Sequence, residues 1–155
     1  MSKVIVTGGC GFIGSHIVDQ LLVDGFDVTV IDNFSTGRPE NLAHQKHNKR
    51  LKVIEGDICN YDFVRKILTD SKWVFHLAAL ADIVPSIQQP VNYHQSNVNG
   101  TLSVLEATRH VGVEKFVYAA SSTCYGIPDM TPTREDAPIR PMFPYALTKN
   151  IGEQY

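Results

Sequence analysis

A short β-branched run, Lys3-Val-Ile-Val-Thr7, leads straight into Gly8-Gly-Cys-Gly11-Phe-Ile-Gly14. An apolar-periodic segment follows at once, and a second short run, Asp27-Val-Thr-Val-Ile31, ends against Asp32. Strand, glycine turn, helix, strand and acid in that order leave few folds open. Glycines let the chain turn tightly, let a pyrophosphate approach the backbone and let the helix pack on the strand. The helix start then offers free N–H groups and a positive dipole end to phosphate. An acid about 20 residues on accepts hydrogen bonds from a ribose and repels a 2′-phosphate. Alone, the glycines read equally as a flexible turn. In this context they point to a dinucleotide, and Asp32 favours NAD over NADP.

The rest of the chain keeps the alternation. Strands are expected at Lys3–Thr7, Asp27–Ile31, Leu51–Glu55, Trp73–Ala78 and Lys115–Ala120. Helices are expected at Phe12–Asp24, with an apolar face of Ile13, Ile17, Leu21 and Leu22, and at Tyr61–Leu68, Val91–His110 and Tyr145–Tyr155. Such alternation predicts an α/β fold, a doubly wound parallel sheet with right-handed crossovers, in one domain over residues 1–155. The segment 126–143 carries Pro128, Pro132, Pro138 and Pro141, so it reads as a long functional loop.

Two further turns fit a dinucleotide lying across the strand ends. Asp57, after the third strand, can accept an adenine amino group, although Gly56-Asp57-Ile58 also reads as a plain turn. Leu77, Ala78 and Ala79 end the fourth strand with small residues that leave room for a ligand or for a packed helix.

Tyr145 and Lys149 stand four apart, hence on one helical face. A free phenol has a pKa of about 10 and is a poor base at neutral pH. A lysine ammonium about 5 Å away, at an effective dielectric near 20, stabilises a phenolate by roughly 3 kcal/mol. A Tyr–Lys pair can therefore serve as a general base. The pairing is common, and by itself it also fits a half-buried Tyr beside an exposed Lys. Here Ser121-Ser122-Thr123 ends the fifth strand, at the rim where open parallel sheets bind ligands, so the three residue types can converge. Those hydroxyls can also simply cap the strand end.

Composition narrows the alternatives. With 43% hydrophobic and 19% charged residues and a net charge of −2, the chain reads as globular, without a surface built for nucleic acid or anionic membrane. No apolar run reaches the roughly 18 residues that span a bilayer. MSKVIVTGG enters a strand at once, so no signal peptide is expected and the expected location is cytoplasmic. Cys10, Cys59 and Cys124 are odd in number and scattered, which reads as three core residues in a reducing compartment. His44 and His47 lie in a polar stretch and are expected on a solvated helix end or loop, with no metal.

TGGCGFIG, Asp32-Asn33, Gly56-Asp57-Ile58, HLAA, Asn97-Val-Asn-Gly-Thr, SSTCYG and Tyr145-x-x-x-Lys149 follow one another in the order of the extended short-chain dehydrogenases/reductases. The whole chain resembles their NAD-dependent epimerase/dehydratase family, and within it the nucleotide-sugar 4-epimerases. The resemblance implies a Rossmann-type domain holding NAD through Gly8, Gly11, Phe12, Ile13, Gly14, Asp32, Asn33, Ser35, Thr36, Gly37, Asp57, Ile58, Leu77, Ala78, Ala79, Ser96, Tyr145 and Lys149. It implies Ser121, Tyr145 and Lys149 as catalytic residues, with Ser122 and Thr123 touching substrate.

The implied reaction is epimerisation at C4 of a nucleotide-activated sugar, a UDP-sugar first, through a 4-keto intermediate. A related decarboxylase or reductase, or a dinucleotide-binding module without activity, are the alternatives. Family 4,6-dehydratases carry an Asp-Glu pair where this chain has Ser122-Thr123, which speaks against loss of water. The resemblance also implies a longer protein, homodimeric through the Val91–His110 region. By that measure this chain is the N-terminal half, stopping inside the helix of Tyr145 and Lys149, with the C-terminal substrate part missing.

Overall fold

The computed structural model describes residues 2–155. Five parallel strands form one sheet: β1 (Lys3–Thr7), β2 (Asp27–Asp32), β3 (Leu51–Glu55), β4 (Ser71–His76) and β5 (Lys115–Tyr118), in the order β3-β2-β1-β4-β5. The direction of winding reverses between β1 and β4, which opens a crevice beyond their carboxyl ends.

Successive side chains of a strand point to opposite faces, so β1 feeds two cores. Val4 and Val6 pack with Val18, Leu21 and Leu22 of α1 (Phe12–Val23) and with Val28 and Val30 of β2. Ile5 faces the other way, onto Val64 and Leu68 of α2 (Tyr61–Leu68) and Val104 and Ala107 of α5 (Gly100–Val111). Both faces are thus covered, as a parallel sheet requires. The Asn60 side chain caps α2 by accepting the Phe63 N–H at 3.1 Å. Gly112, at φ +79°, ends α5 in the left-handed region.

Several expectations need correction. The stripe that α1 buries is Gly14, Ser15, Val18, Leu21 and Leu22, whereas Ile13 is 62% exposed. A Cβ on Gly14 would run into the Gly8 carbonyl, so α1 turns its smallest residue toward the strand end. Strand β4 begins at Ser71, paired with Lys3 across an irregularity in register, and leaves the sheet after His76 rather than at Ala78. Strand β5 ends at Tyr118, not at Ala120.

The single long helix expected from Val91 is α4 (Pro90–His94) joined to α5 through one π-helical turn, Gln95–Asn99. Short helical pieces at Pro39–Gln45, at α3 (Ile83–Gln88) and at Ser122–Tyr125 were not expected. The last helix, α6, runs Pro144–Gln154. Cys10 and Cys124 are buried, but Cys59 is only half-buried, its thiol donating to the Gln95 carbonyl. No helix among the described residues is long and apolar enough to cross a membrane.

Candidate active site

A cleft of about 340 Å³ runs along the carboxyl rim of the sheet. Its first wall is the glycine turn. Gly8 sits at φ +69°, and a Cβ there would lie 2.7 Å from the Ala78 nitrogen, so only glycine lets the β1 and β4 exits meet. Gly11 caps α1 without any side-chain bond, which leaves the first N–H groups of the helix facing the cleft. Phe12, Ile13 and Gly14 line the same wall, and Phe12 is 79% exposed. Two large apolar side chains left open beside bare helix N–H groups fit a ligand with an anionic middle and flat flanks.

Asp32 ends β2 almost buried. Its Oδ2 accepts the Cys10 N–H and its Oδ1 accepts the Phe34 N–H, each at 2.9 Å, so the carboxylate clips the glycine turn to the β2 exit. A Cβ on Gly37 would come within 2.8 Å of both carboxylate oxygens, and the loop carrying Asn33, Ser35, Thr36 and Gly37 therefore closes over this end. Ile58 lines the cleft from below.

Asp57 does not line it. Its side chain is exposed, and Oδ1 accepts the Cys59 N–H at 2.8 Å, so one of its two oxygens bonds its own turn. Gly56 and Ile31 line the cleft instead.

Leu77, Ala78 and Ala79 form the middle, and Ser96 the wall opposite. The next residue, Leu80, is held through its backbone by Asn97, which lies in the π-helical turn. Asn97 is 1% exposed; its Oδ1 accepts the Leu80 N–H at 2.8 Å and its Nδ2 donates to the Leu80 carbonyl at 2.9 Å and to Thr148 Oγ1 at 3.1 Å. One side chain thus ties the loop after β4 to α6.

Tyr145 and Lys149 both face the far end of the cleft from α6, with Ala119 and Ala120 beneath them. Tyr145 is half-buried, its ring edge-on to Tyr93 at 6.5 Å. Lys149 is 4% exposed, and burial brings its ammonium from the usual 10.5 down to about 8. Ser121, Ser122 and Thr123 lie just past this end without lining it. The Ser121 hydroxyl is 2.8 Å from Thr123 Oγ1 and also accepts the Thr123 N–H, so it caps the turn it starts.

His44 pairs with Asp19 at 2.7 Å instead of standing with His47. No group of three or more His, Cys, Asp or Glu among the described residues is disposed to hold a metal.

Sequence reading had named most of the cleft. It missed Gly56, Ile31, Ala81, Ala119 and Ala120, and gave no role to Asn97. The signal for Asn97 was present in Asn97-Val-Asn-Gly, but its inward direction depends on the extra residue of a π turn.

Comparison with known proteins places these features. A family described as GDP-mannose 4,6 dehydratase matches residues 5–155. The UDP-glucose 4-epimerase of Mycolicibacterium smegmatis is 40% identical over 156 residues, 99% of this chain and 50% of that protein. The UDP-N-acetylglucosamine 4-epimerase of Methanobrevibacter ruminantium M1, solved with UDP-N-acetylmuramic acid, is 42% identical with a TM-score of 0.93, over 99% of this chain and 49% of that one. The UDP-glucose 4-epimerase of Brucella ovis, solved with NAD, is 33% identical with a TM-score of 0.91, over 99% and 46%. The chain spans about half the length of these relatives. A doubly wound sheet, a glycine cradle clipped by Asp32, and Tyr145 beside Lys149 across one cleft accord with the match over nearly every residue, and the chain belongs to the GDP-mannose 4,6 dehydratase family of extended short-chain dehydrogenases/reductases.

Proposed function

We propose that the chain is the NAD-binding part of an enzyme that interconverts the C4 epimers of a UDP-sugar. The observation that carries this reading is a single cleft with the glycine cradle and Asp32 at one end and Tyr145 and Lys149 at the other. A dinucleotide fits that separation of tasks: Asp32 and the 33–37 loop take the adenosine ribose, Gly8, Gly11 and the α1 start take the pyrophosphate, and Lys149 takes the nicotinamide ribose. Held by these residues, NAD would supply the hydride acceptor and donor that chemistry at C4 requires.

The chain's own residues move the proton. Tyr145, on the same face of α6 as Lys149, is the base that removes it from the 4-hydroxyl and gives it back once the 4-keto sugar has presented its other face. Ser121, at the rim, hydrogen-bonds the same oxygen, while Ser122 and Thr123 contact the sugar. Neither Ser122 nor Thr123 carries a carboxylate that could assist loss of water, which supports epimerisation over dehydration within this family. UDP is proposed as the nucleotide because the similar epimerases act on UDP-sugars by name. Assembly as a homodimer through the exposed side of α4 and α5, where Val91 and Leu102 face outward, belongs to the same proposal and is read by sedimentation velocity.

The test is conversion of UDP-glucose to UDP-galactose, followed by proton NMR with no cofactor added, in the wild-type full-length protein and its Tyr145→Phe variant. The expected result is turnover in the wild type and a loss of about 10²–10⁴-fold in the variant with NAD still bound. Equal rates would overturn the assignment of Tyr145. A second reading has one observation behind it: the whole dinucleotide cleft lies inside a chain half as long as its relatives. On that reading the 155-residue chain binds NAD and turns nothing over.

A further inference from the structure

Lys149 is nearly out of water, yet it forms no salt bridge, and its ammonium donates no hydrogen bond within the described chain. A charge so placed needs a partner. Its nearest one is a ring: the Lys149 Nζ stands 4.1 Å from the centroid of Tyr118, the last residue of β5. Tyr118 grips the same residue twice, because its hydroxyl donates to the Lys149 backbone carbonyl at 3.2 Å.

The ring itself has little room to move. Behind it lies the His76 imidazole, 5.8 Å away and within 23° of parallel. His76 is fully buried and bonded at both nitrogens, to Thr7 Oγ1 at 2.6 Å and Thr101 Oγ1 at 3.0 Å. Thr7 Oγ1 also accepts the Ala78 N–H at 3.3 Å. The Thr7 hydroxyl proton is then free to go to Nδ1, leaving Nε2–H to donate to Thr101. On the α6 side, Gly152 sits flush against the ring, since a Cβ there would lie 2.8 Å from Tyr118 Cζ.

We propose that Tyr118 is the positioning residue of the catalytic lysine: its ring face holds the ammonium at the cleft wall, and its hydroxyl fixes the turn of α6 that carries it. The proposal rests on the assignment of Lys149 to the catalytic pair. A cation over an aromatic face is attracted by the ring quadrupole, most strongly where water is excluded. The ring therefore does for this ammonium what a carboxylate would do, without neutralising the charge that Tyr145 needs.

The other groups facing Lys149 are few. Tyr145 and Glu153 share α6 with it. The Cys124 thiol reaches it from the turn after β5, and burial pushes that thiol up, so it stays neutral. His76, from β4, is brought by burial down to about 3 and adds no charge.

The test is a pH titration of the ammonium in the chain labelled with ¹³Cε-lysine, the Lys149 signal being assigned by its loss in Lys149→Arg. The expected wild-type midpoint is about 8. Tyr118→Phe keeps the ring face and should leave the midpoint within about 0.3 of wild type, whereas Tyr118→Leu should lower it by about one pH unit. An unmoved midpoint in a folded Leu variant, or equal shifts in both variants, would overturn the proposal. Should the Leu variant not fold, the wild type decides: the Lys149 ε-methylene protons must lie upfield of those of every lysine without a ring beside it, Lys72 and Lys115 over Trp73 being set apart, and ordinary shifts would refute the contact. None of these readouts needs nucleotide or turnover, so failure of the epimerase reading would leave them standing.

Discussion

Replacing Lys149 by Met should make the chain more stable at neutral pH while removing its chemistry. The folded chain holds the Lys149 ammonium 4% exposed, and burial moves it from 10.5 to about 8. A difference of that size between unfolded and folded states corresponds to about 3 kcal/mol. Because the folded value is the lower one, the folded state resists the proton. The cost of holding the charge is fully present below about pH 8, is relieved as pH rises toward 10.5, and is gone above it. Met keeps an unbranched chain of similar length and drops the charge, at the loss of the attraction to the Tyr118 ring. The expected net gain at pH 7 is about 1–3 kcal/mol. Urea unfolding of both proteins at pH 7 and pH 10 measures it. The gap between them should narrow by about 2 kcal/mol over that interval, since all other titrating groups are shared. A Met variant less stable than wild type by the same amount at both pH values would refute the reasoning. A residue kept at such a cost to the fold is what a site selected for activity rather than stability contains.

Asp32→Ala should weaken NAD⁺ binding at least about ten-fold by calorimetry, because two backbone N–H groups lose their acceptor and the glycine turn loses its clip; the same change should cost about 1–3 kcal/mol of stability. Unchanged affinity would remove Asp32 from the site. Asn97→Ala leaves both polar groups of Leu80 without a partner, and a destabilisation of about 2–4 kcal/mol is expected in urea unfolding. A loss below about 0.5 kcal/mol, the range of ordinary surface changes, would show that water replaces the amide.

Local chemistry made much of this legible. The β1 run, the glycine turn, α1 and Asp32 are adjacent in sequence, and each depends on its neighbours more than on the rest of the fold. Tyr145 and Lys149 were legible because four residues is one helical turn. What escaped depends on contacts across the sheet. The buried face of α1 is set by how closely Gly14 approaches the Gly8 carbonyl, so hydrophobicity placed Ile13 inside when it lines the cleft. The inward direction of Asn97 comes from one extra residue in a helix, which no periodicity announces. Tyr118 and His76 belong to neighbouring strands, 42 positions apart, and their stacking follows from parallel register alone, His76 opposite Tyr118. Asp57 was read two ways, and its Oδ1 accepts the Cys59 N–H of its own turn.

The account stands on one arrangement: a dinucleotide lying across the strand ends with its adenosine at Asp32 and its nicotinamide at Lys149. A crystal structure of the chain grown with NAD⁺ tests it most directly. The expected density puts the adenosine ribose within hydrogen-bonding distance of the Asp32 carboxylate, the pyrophosphate on the α1 start, and the nicotinamide ribose against the Lys149 ammonium. NAD⁺ bound in the opposite direction, or outside this cleft, would contradict it.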